Sequence, residues 1–257
     1  MIGGLDPGGG AGILADARAA KIAGAYACAC VSLLTVQSTA GLVRAVPVDS
    51  EVLAASLREV LAHQCIDAMK VGALGSAAQV RAVVSVLREY PTIPVVVDTP
   101  RKPSRGRAAL IDARGFRALV ECLLPMSTIL TVNTDEAGWV LGREVHSLAD
   151  ARAAALELAQ RGPRGVVVKG GHLEGNATDV VAFGARVTDL VDGRADVGPL
   201  HGTGCTFASL IAGRLAVNHV AVGEIDAQLD AIKWAKTTMR RLIRQPLAVG
   251  GPARVLG

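Results

Sequence analysis

Apolar positions along this chain come in two alternating kinds of run. Three short valine-rich stretches, PVVVD at 94–98, TILTV at 128–132 and GVVVK at 165–169, are continuously apolar. They lack the polar alternation of a half-exposed strand and so predict strands buried on both faces. A fourth run, ACVSLLTVQ, ends at Gln37. Between the runs, apolar residues recur at helical spacing behind readable starts. Ser76 with Gln79 predicts a capping box ahead of Val80, Val83, Val84 and Leu87. Ser147 opens a helix that Gly162 closes, with Arg161 in its last turn. TDVVAFGARVTDLVDGR, 178–194, alternates around a glycine and predicts a hairpin. Strand and helix in alternation, without a repeat or a linker, predict one α/β domain over 1–257. Its sheet is doubly wound and mainly parallel, with helices on both faces and a small hairpin near the C-terminal third.

In such a sheet the ligand site lies beyond the carboxyl ends of the strands. Gln37, Asp98, Asn133 and Lys169 each follow directly on an apolar run. One polar strand end is ordinary, whereas four converging on one edge predict a site. Composition narrows what the site takes. About half of the residues are apolar, mostly alanine and valine, which suits close-packed helices on a valine-rich sheet. Aromatic residues make up only 3%, too few for a stacking platform, and the net charge of +4 is spread out except near Arg101, so nucleic acid is not the expected partner. No apolar run has membrane-spanning length and no signal peptide is read. The five cysteines are odd in number and match no zinc spacing, which predicts free thiols and a cytoplasmic protein.

Two glycine-rich turns carry the candidate chemistry. HGTGC, 201–205, precedes an apolar run at helical spacing that reaches about Val217. Free amides and the positive dipole end at a helix start make an anion site, and Gly202 and Gly204 let backbone approach the anion closely. Cys205 there is either a small buried hydrophobe or a thiol whose pKa the helix end lowers. GGLDPGGGAGILAD, 3–16, is the second turn, and it completes neither a P-loop nor a dinucleotide fingerprint. Asp16, one turn into its helix, either offsets the helix dipole or overhangs a pocket. Asn133 and Glu136 make a good helix start and could equally orient a hydrated Mg²⁺. Lys169 either reaches solvent or faces polyphosphate.

Together these stretches resemble the hydroxymethylpyrimidine and phosphomethylpyrimidine kinases of the ribokinase-like superfamily, which make the pyrimidine half of thiamine. The resemblance covers nearly the whole chain, through GLDPGGGAGILAD, TVQST, IDAMKVGAL, NTDEA, VVVKGGHL and HGTGC in order and at the family's spacing. It implies a kinase that uses ATP and Mg²⁺ to phosphorylate 4-amino-5-hydroxymethyl-2-methylpyrimidine and its monophosphate. Cys205 then matches the base, and the amides of Gly202, Thr203, Gly204 and Cys205 match the anion hole. Lys169, Asn133 and Glu136 match the nucleotide side, and Glu136 with Asp98 the magnesium, partly through water. Ala11, Asp16, Gln37, Ala73 and Cys205 match substrate-binding positions, and a homodimer is implied.

Four departures from the family pattern bear on substrate. TPRKPSRGRAAL, 99–110, replaces the usual lid, and Arg101, Lys102, Arg105 and Arg107 make it basic. Ala73 stands where methionine is frequent, and Leu200 where threonine is common. The chain opens at Ile2-Gly3-Gly4 where the family's first strand has several more residues, which reads as a late start or a short inner strand. Two alternatives stay open beside the pyrimidine kinase: a pyridoxal or pyridoxine kinase, for which Ala73 makes room, and a catalytically weak pyrimidine-binding or regulatory protein.

Overall fold

The three valine-rich runs lie side by side. In a computed structural model that describes residues 1–98, 109–171 and 173–257, they form β5 (Val95–Asp98), β6 (Ile129–Asn133) and β7 (Gly165–Lys169), paired in parallel. The basic segment expected to act as a lid, with Arg101 to Arg107, and His172 lie outside the described residues. The sheet extends through β4 (Met69–Val71), β1 (Ile2–Leu5) and β2 (Cys30–Ser38), all parallel, to β3 (Gly41–Pro47) at one edge. At the other edge the hairpin of β8 (Asp179–Phe183) and β9 (Arg186–Leu190) continues it antiparallel. The strand order is β3-β2-β1-β4-β5-β6-β7-β8-β9, an α/β architecture with a mainly parallel sheet.

Continuous apolar strands need cover on both faces, and the period of two decides which side chain goes where. Val97, Leu130, Val166 and Val168 enter a core with α2 (Ser50–His63), α3 (Ala77–Glu89) and α6 (Leu148–Ala159). Val96, Ile129 and Val167, the alternate positions, enter a second core under α7 (Thr203–Val217) and α8 (Ile225–Arg244). α1 (Gly12–Ala23) packs beside α7 through small residues; a Cβ on Gly213 would stand 2.8 Å from that of Ala23. Two shorter helices, α4 (Ala113–Ala118) and α5 (Thr134–Leu141), complete the first layer, and a two-stranded pair of β10 (Leu200–His201) and β11 (Arg254–Val255) flanks the start of α7.

Two local expectations are corrected. The run ending at Gln37 is not buried along its length: it turns at Thr39-Ala40 into β3, and this second hairpin leaves Leu34 and Val36 exposed. Only half of the capping box at Ser76 forms. Its hydroxyl accepts from the Gln79 N–H, but the Gln79 side chain accepts from Gly75 N–H and donates to the carbonyls of Ser32 and Val48, because three backbone groups of β2 and its surroundings need partners there.

Candidate active site

Parallel strands deliver their last residues to one edge, and helices that follow them begin there. A cavity of about 820 Å³ opens at this edge. Gln37, Asp98, Asn133 and Lys169 all line it, as do Ala11, Ala73, Glu136 and the turn Gly202-Thr203-Gly204-Cys205.

The start of α7 is built as a donor site. Gly202 is its N-cap with φ 80°, and a Cβ there would lie 1.9 Å from the Gly10 carbonyl oxygen, so only glycine fits. No side chain caps the helix and no acid occupies its first turn, which leaves the first amides unpaired at the cavity. Gly204 lets charged groups come close: a Cβ on it would be 3.3 Å from Lys169 Nζ and 3.5 Å from Asp98 Oδ2.

Those two charged groups form a buried cluster with Glu136. Lys169 Nζ donates to Asp98 Oδ1 at 3.2 Å and lies 3.8 Å from Glu136 Oε2. Thr131 Oγ1 also donates to Asp98 Oδ1, at 3.1 Å. Burial would raise the Asp98 pKa, but Lys169, Lys70 and Thr131 outweigh it and hold the carboxyl below its ordinary value. Burial and the neighbouring Asp98 push Glu136 up to about 7 against the pull of Lys169. Asn133 and Glu136 satisfy each other's backbone amides in a full capping box, at 2.8 and 2.7 Å. Among the described residues no group of three or more His, Cys, Asp and Glu side chains is placed to hold a metal ion. Two buried carboxylates crowding one ammonium nonetheless fit a hard cation that uses few protein ligands and keeps its waters.

Cys205 closes the inner end. Burial pushes its thiol up to about 11; Lys70 and a hydrogen bond from Gly12 N–H pull down, and Asp16 and Asp98 push up further. The helix terminus therefore does not win over burial in the free protein, and sulfur starts as a thiol.

Asp16 is placed beneath this cavity, not over it. It is fully buried and absent from the lining, because Lys70 Nζ donates to both of its oxygens at 3.0 and 2.9 Å and Ser209 Oγ donates to Oδ1 at 2.8 Å. Three further residues at the site were not anticipated. Lys70 lines the cavity, and its sequence signal was a lone lysine inside the apolar strand AMKVG. Asp6 accepts from Gly8 N–H and Ala11 N–H at 2.9 Å each and from His201 Nε2 at 2.9 Å, which bolts the two glycine-rich turns together. Gln37 Nε2 lies 3.2 Å from His201 Nε2, beside this junction and without a hydrogen bond to it while that nitrogen donates to Asp6.

The family model and the sequence relatives agree on one relationship. The family model described as phosphomethylpyrimidine kinase matches residues 6–255. The thiamine biosynthesis bifunctional protein ThiED of Geobacter sulfurreducens is 37% identical over 255 residues, covering 98% of this chain and 50% of that protein, so the chain spans about half the length of this relative. The hydroxymethylpyrimidine/phosphomethylpyrimidine kinase of Mycobacterium bovis is 35% identical over 252 residues, 97% of this chain and 89% of that one. Among solved structures, an ADP complex of Bacillus subtilis pyridoxal kinase superposes with a TM-score of 0.87 at 26% identity, covering 99% of this chain and 94% of that one.

Proposed function

The chain belongs to the phosphomethylpyrimidine kinase family, and we propose that it transfers the terminal phosphoryl group of ATP to 4-amino-5-hydroxymethyl-2-methylpyrimidine and then to its monophosphate, giving the diphosphate used to make thiamine. The observation that carries this reading is the uncapped start of α7 facing the cavity with Cys205 on one side and the Lys169–Asp98–Glu136 cluster on the other.

Each group then has a task. The amides of Gly202, Thr203, Gly204 and Cys205 hold the transferring phosphoryl oxygens. Lys169 neutralises the terminal phosphates of the nucleotide, with Asn133 and Glu136 shaping that side. Val197, Met239 and Ile243 are apolar positions of the cavity lining against which the nucleotide base would rest. Asp98 and Glu136 would hold Mg²⁺, partly through water, and bound there the ion supplies charge neutralisation to the phosphates. Ala11, Ala73 and Gln37 receive the pyrimidine, the Gln37 amide matching a ring nitrogen and amino group. The Cys205 thiol first gives its proton to solvent. The thiolate then takes the hydroxyl proton, the freed oxygen bonds to the γ-phosphorus, the bond to the bridging oxygen breaks and ADP leaves. In the second transfer an oxygen of the monophosphate is the acceptor. Asp16 supports this site from below. The transition state is loose, so positioning and charge neutralisation carry most of the rate.

Ala73 at the cavity wall supports a second reading, a pyridoxal kinase. Incubation with ATP, Mg²⁺ and each of the pyrimidine alcohol, its monophosphate and pyridoxal separates the readings. Pyrimidine diphosphate is expected; phosphorylated pyridoxal alone supports the second reading, and bound pyrimidine without ADP formation would mark a binding protein.

The same reading places one kinase unit over 1–257 in the cytoplasm as a homodimer. Among the described residues no helix is long and apolar enough to cross a membrane. Support for pairing is the outer face of the β2–β3 hairpin, where Leu34, Val36 and Val46 are 51%, 57% and 40% exposed on one side of the ladder. Leu34→Lys with Val36→Lys should shift sedimentation from dimer to monomer; an unchanged mass moves the interface elsewhere.

A further inference from the structure

Lys70 lines the cavity while being only 1% exposed, and the tasks above leave it unused. Its ammonium is fixed. Asp16 of α1 takes two of its N–H bonds, and Ser209, one turn beyond Cys205 on α7, holds Asp16 in turn. Gly72 reserves the space, since a Cβ there would stand 2.5 Å from Lys70 Nζ. The arrangement ties one cation from β4 and one anion from α1 to the helix that carries Cys205, with Lys70 and Cys205 lining the same cavity. Swapping a buried ion pair for apolar residues is often neutral or stabilising, so stability alone is a weak reason for this pair. Charged groups gathered around a nucleophilic side chain in a cleft are a functional signature.

Resting on Cys205 as the base, we propose that Lys70 and Asp16 are positioning residues for its sulfur: Lys70 is the counter-cation of the thiolate, and Asp16 sets how much of that charge the sulfur feels. Every charged group facing the sulfur enters this balance. Lys70 on β4 favours the thiolate, aided by the Gly12 N–H of α1; Asp16 on α1 and Asp98 on β5 oppose it. Lys169 on β7 is a second cation, and the start of α7 adds its dipole. The influence of Lys70 exceeds that of Asp16. Neutralising Asp16 alone therefore makes the thiol more acidic, while neutralising both makes it less acidic than in the native protein. The two changes move the sulfur in opposite directions.

The test is the rate at which iodoacetamide alkylates Cys205 at pH 8.5 in nucleotide-free and metal-free protein, followed by mass spectrometry of its peptide. Below the thiol pKa this rate rises with the thiolate fraction and falls with the thiolate's lower nucleophilicity, so a thiol made about ten times more acidic reacts about threefold faster. Asp16→Asn should react about threefold faster than the native chain, and Asp16→Asn with Lys70→Gln about threefold slower. Both variants faster would report a loosened site, and neither changed would report a structural bolt; either result overturns the proposal. If the double variant does not fold, an unchanged rate in Asp16→Asn overturns it alone and a faster rate supports it only where the other four cysteines keep their native rates. Kinase activity retained in Cys205→Ala would overturn the base reading instead, whatever the alkylation rates show.

Discussion

Gly202 shows how far one residue can be dictated. Its φ of 80° and the Gly10 carbonyl oxygen 1.9 Å from any Cβ exclude every other side chain without moving one of the two turns. Gly202→Ala is expected to lower kcat at least about a hundredfold, since a displacement near 1 Å at the anion hole costs that much; steady-state kinetics beside a melting curve checks it. Lys70→Met should be costly in another way. It leaves Asp16 buried without its cation, for about 3–5 kcal/mol of lost stability by chemical denaturation, and adding Asp16→Leu should restore much of it. Glu136 gives a pH dependence. Its pKa is about 7 folded against 4.5 unfolded, so its favourable contribution is complete below about 4.5 and lost as pH rises through 7. In metal-free protein Glu136→Gln should therefore melt higher relative to the native chain at pH 8 than at pH 5, and an equal gap at both pH values contradicts this. Lys169 and Cys205 were legible because each ends or begins an element. Lys70, Asp6 and His201 were not, because their partners lie 54 and 195 residues away; the lone lysine of AMKVG marks a buried cation without naming its partner.

At the level of elements, the start of α7 trades helix stability for an open donor site. A first turn without cap or acid forgoes favourable dipole terms of about 0.3–1 kcal/mol. Thr203→Asp should hold or raise the melting temperature while raising KM for ATP about tenfold or more, because the new carboxylate occupies the place of a phosphate oxygen. A variant that binds ATP as tightly as before would show that the helix start does not face the nucleotide. The valine-rich strands and the capped helices could be read from periodicity, which local side-chain spacing sets. The β2–β3 hairpin could not: its leucines and valines look like a buried strand, and only their position at the sheet edge exposes them. Gln79 likewise obeys the capping rule in sequence but is recruited across space by β2.

For the whole molecule, the order of strands turns scattered polar residues into one edge. Parallel pairing from β2 to β7 gathers Gln37, Asp98, Asn133 and Lys169, and the α1–α7 contact then brings the two glycine-rich turns together above the Lys70–Asp16 pair. That convergence was foreseeable from alternation of strand and helix alone, whereas the charge balance beneath it needed the fold. In the proposed reaction this edge moves a phosphoryl group onto a pyrimidine alcohol with Cys205 as base. Single-turnover formation of the pyrimidine monophosphate from the alcohol and ATP, in native chain and Cys205→Ala, tests it most directly. Monophosphate formed by the native chain and slowed at least about a hundredfold in the variant, with ATP affinity unchanged, is the expected result. Equal rates in the two proteins would rule out Cys205 as the base.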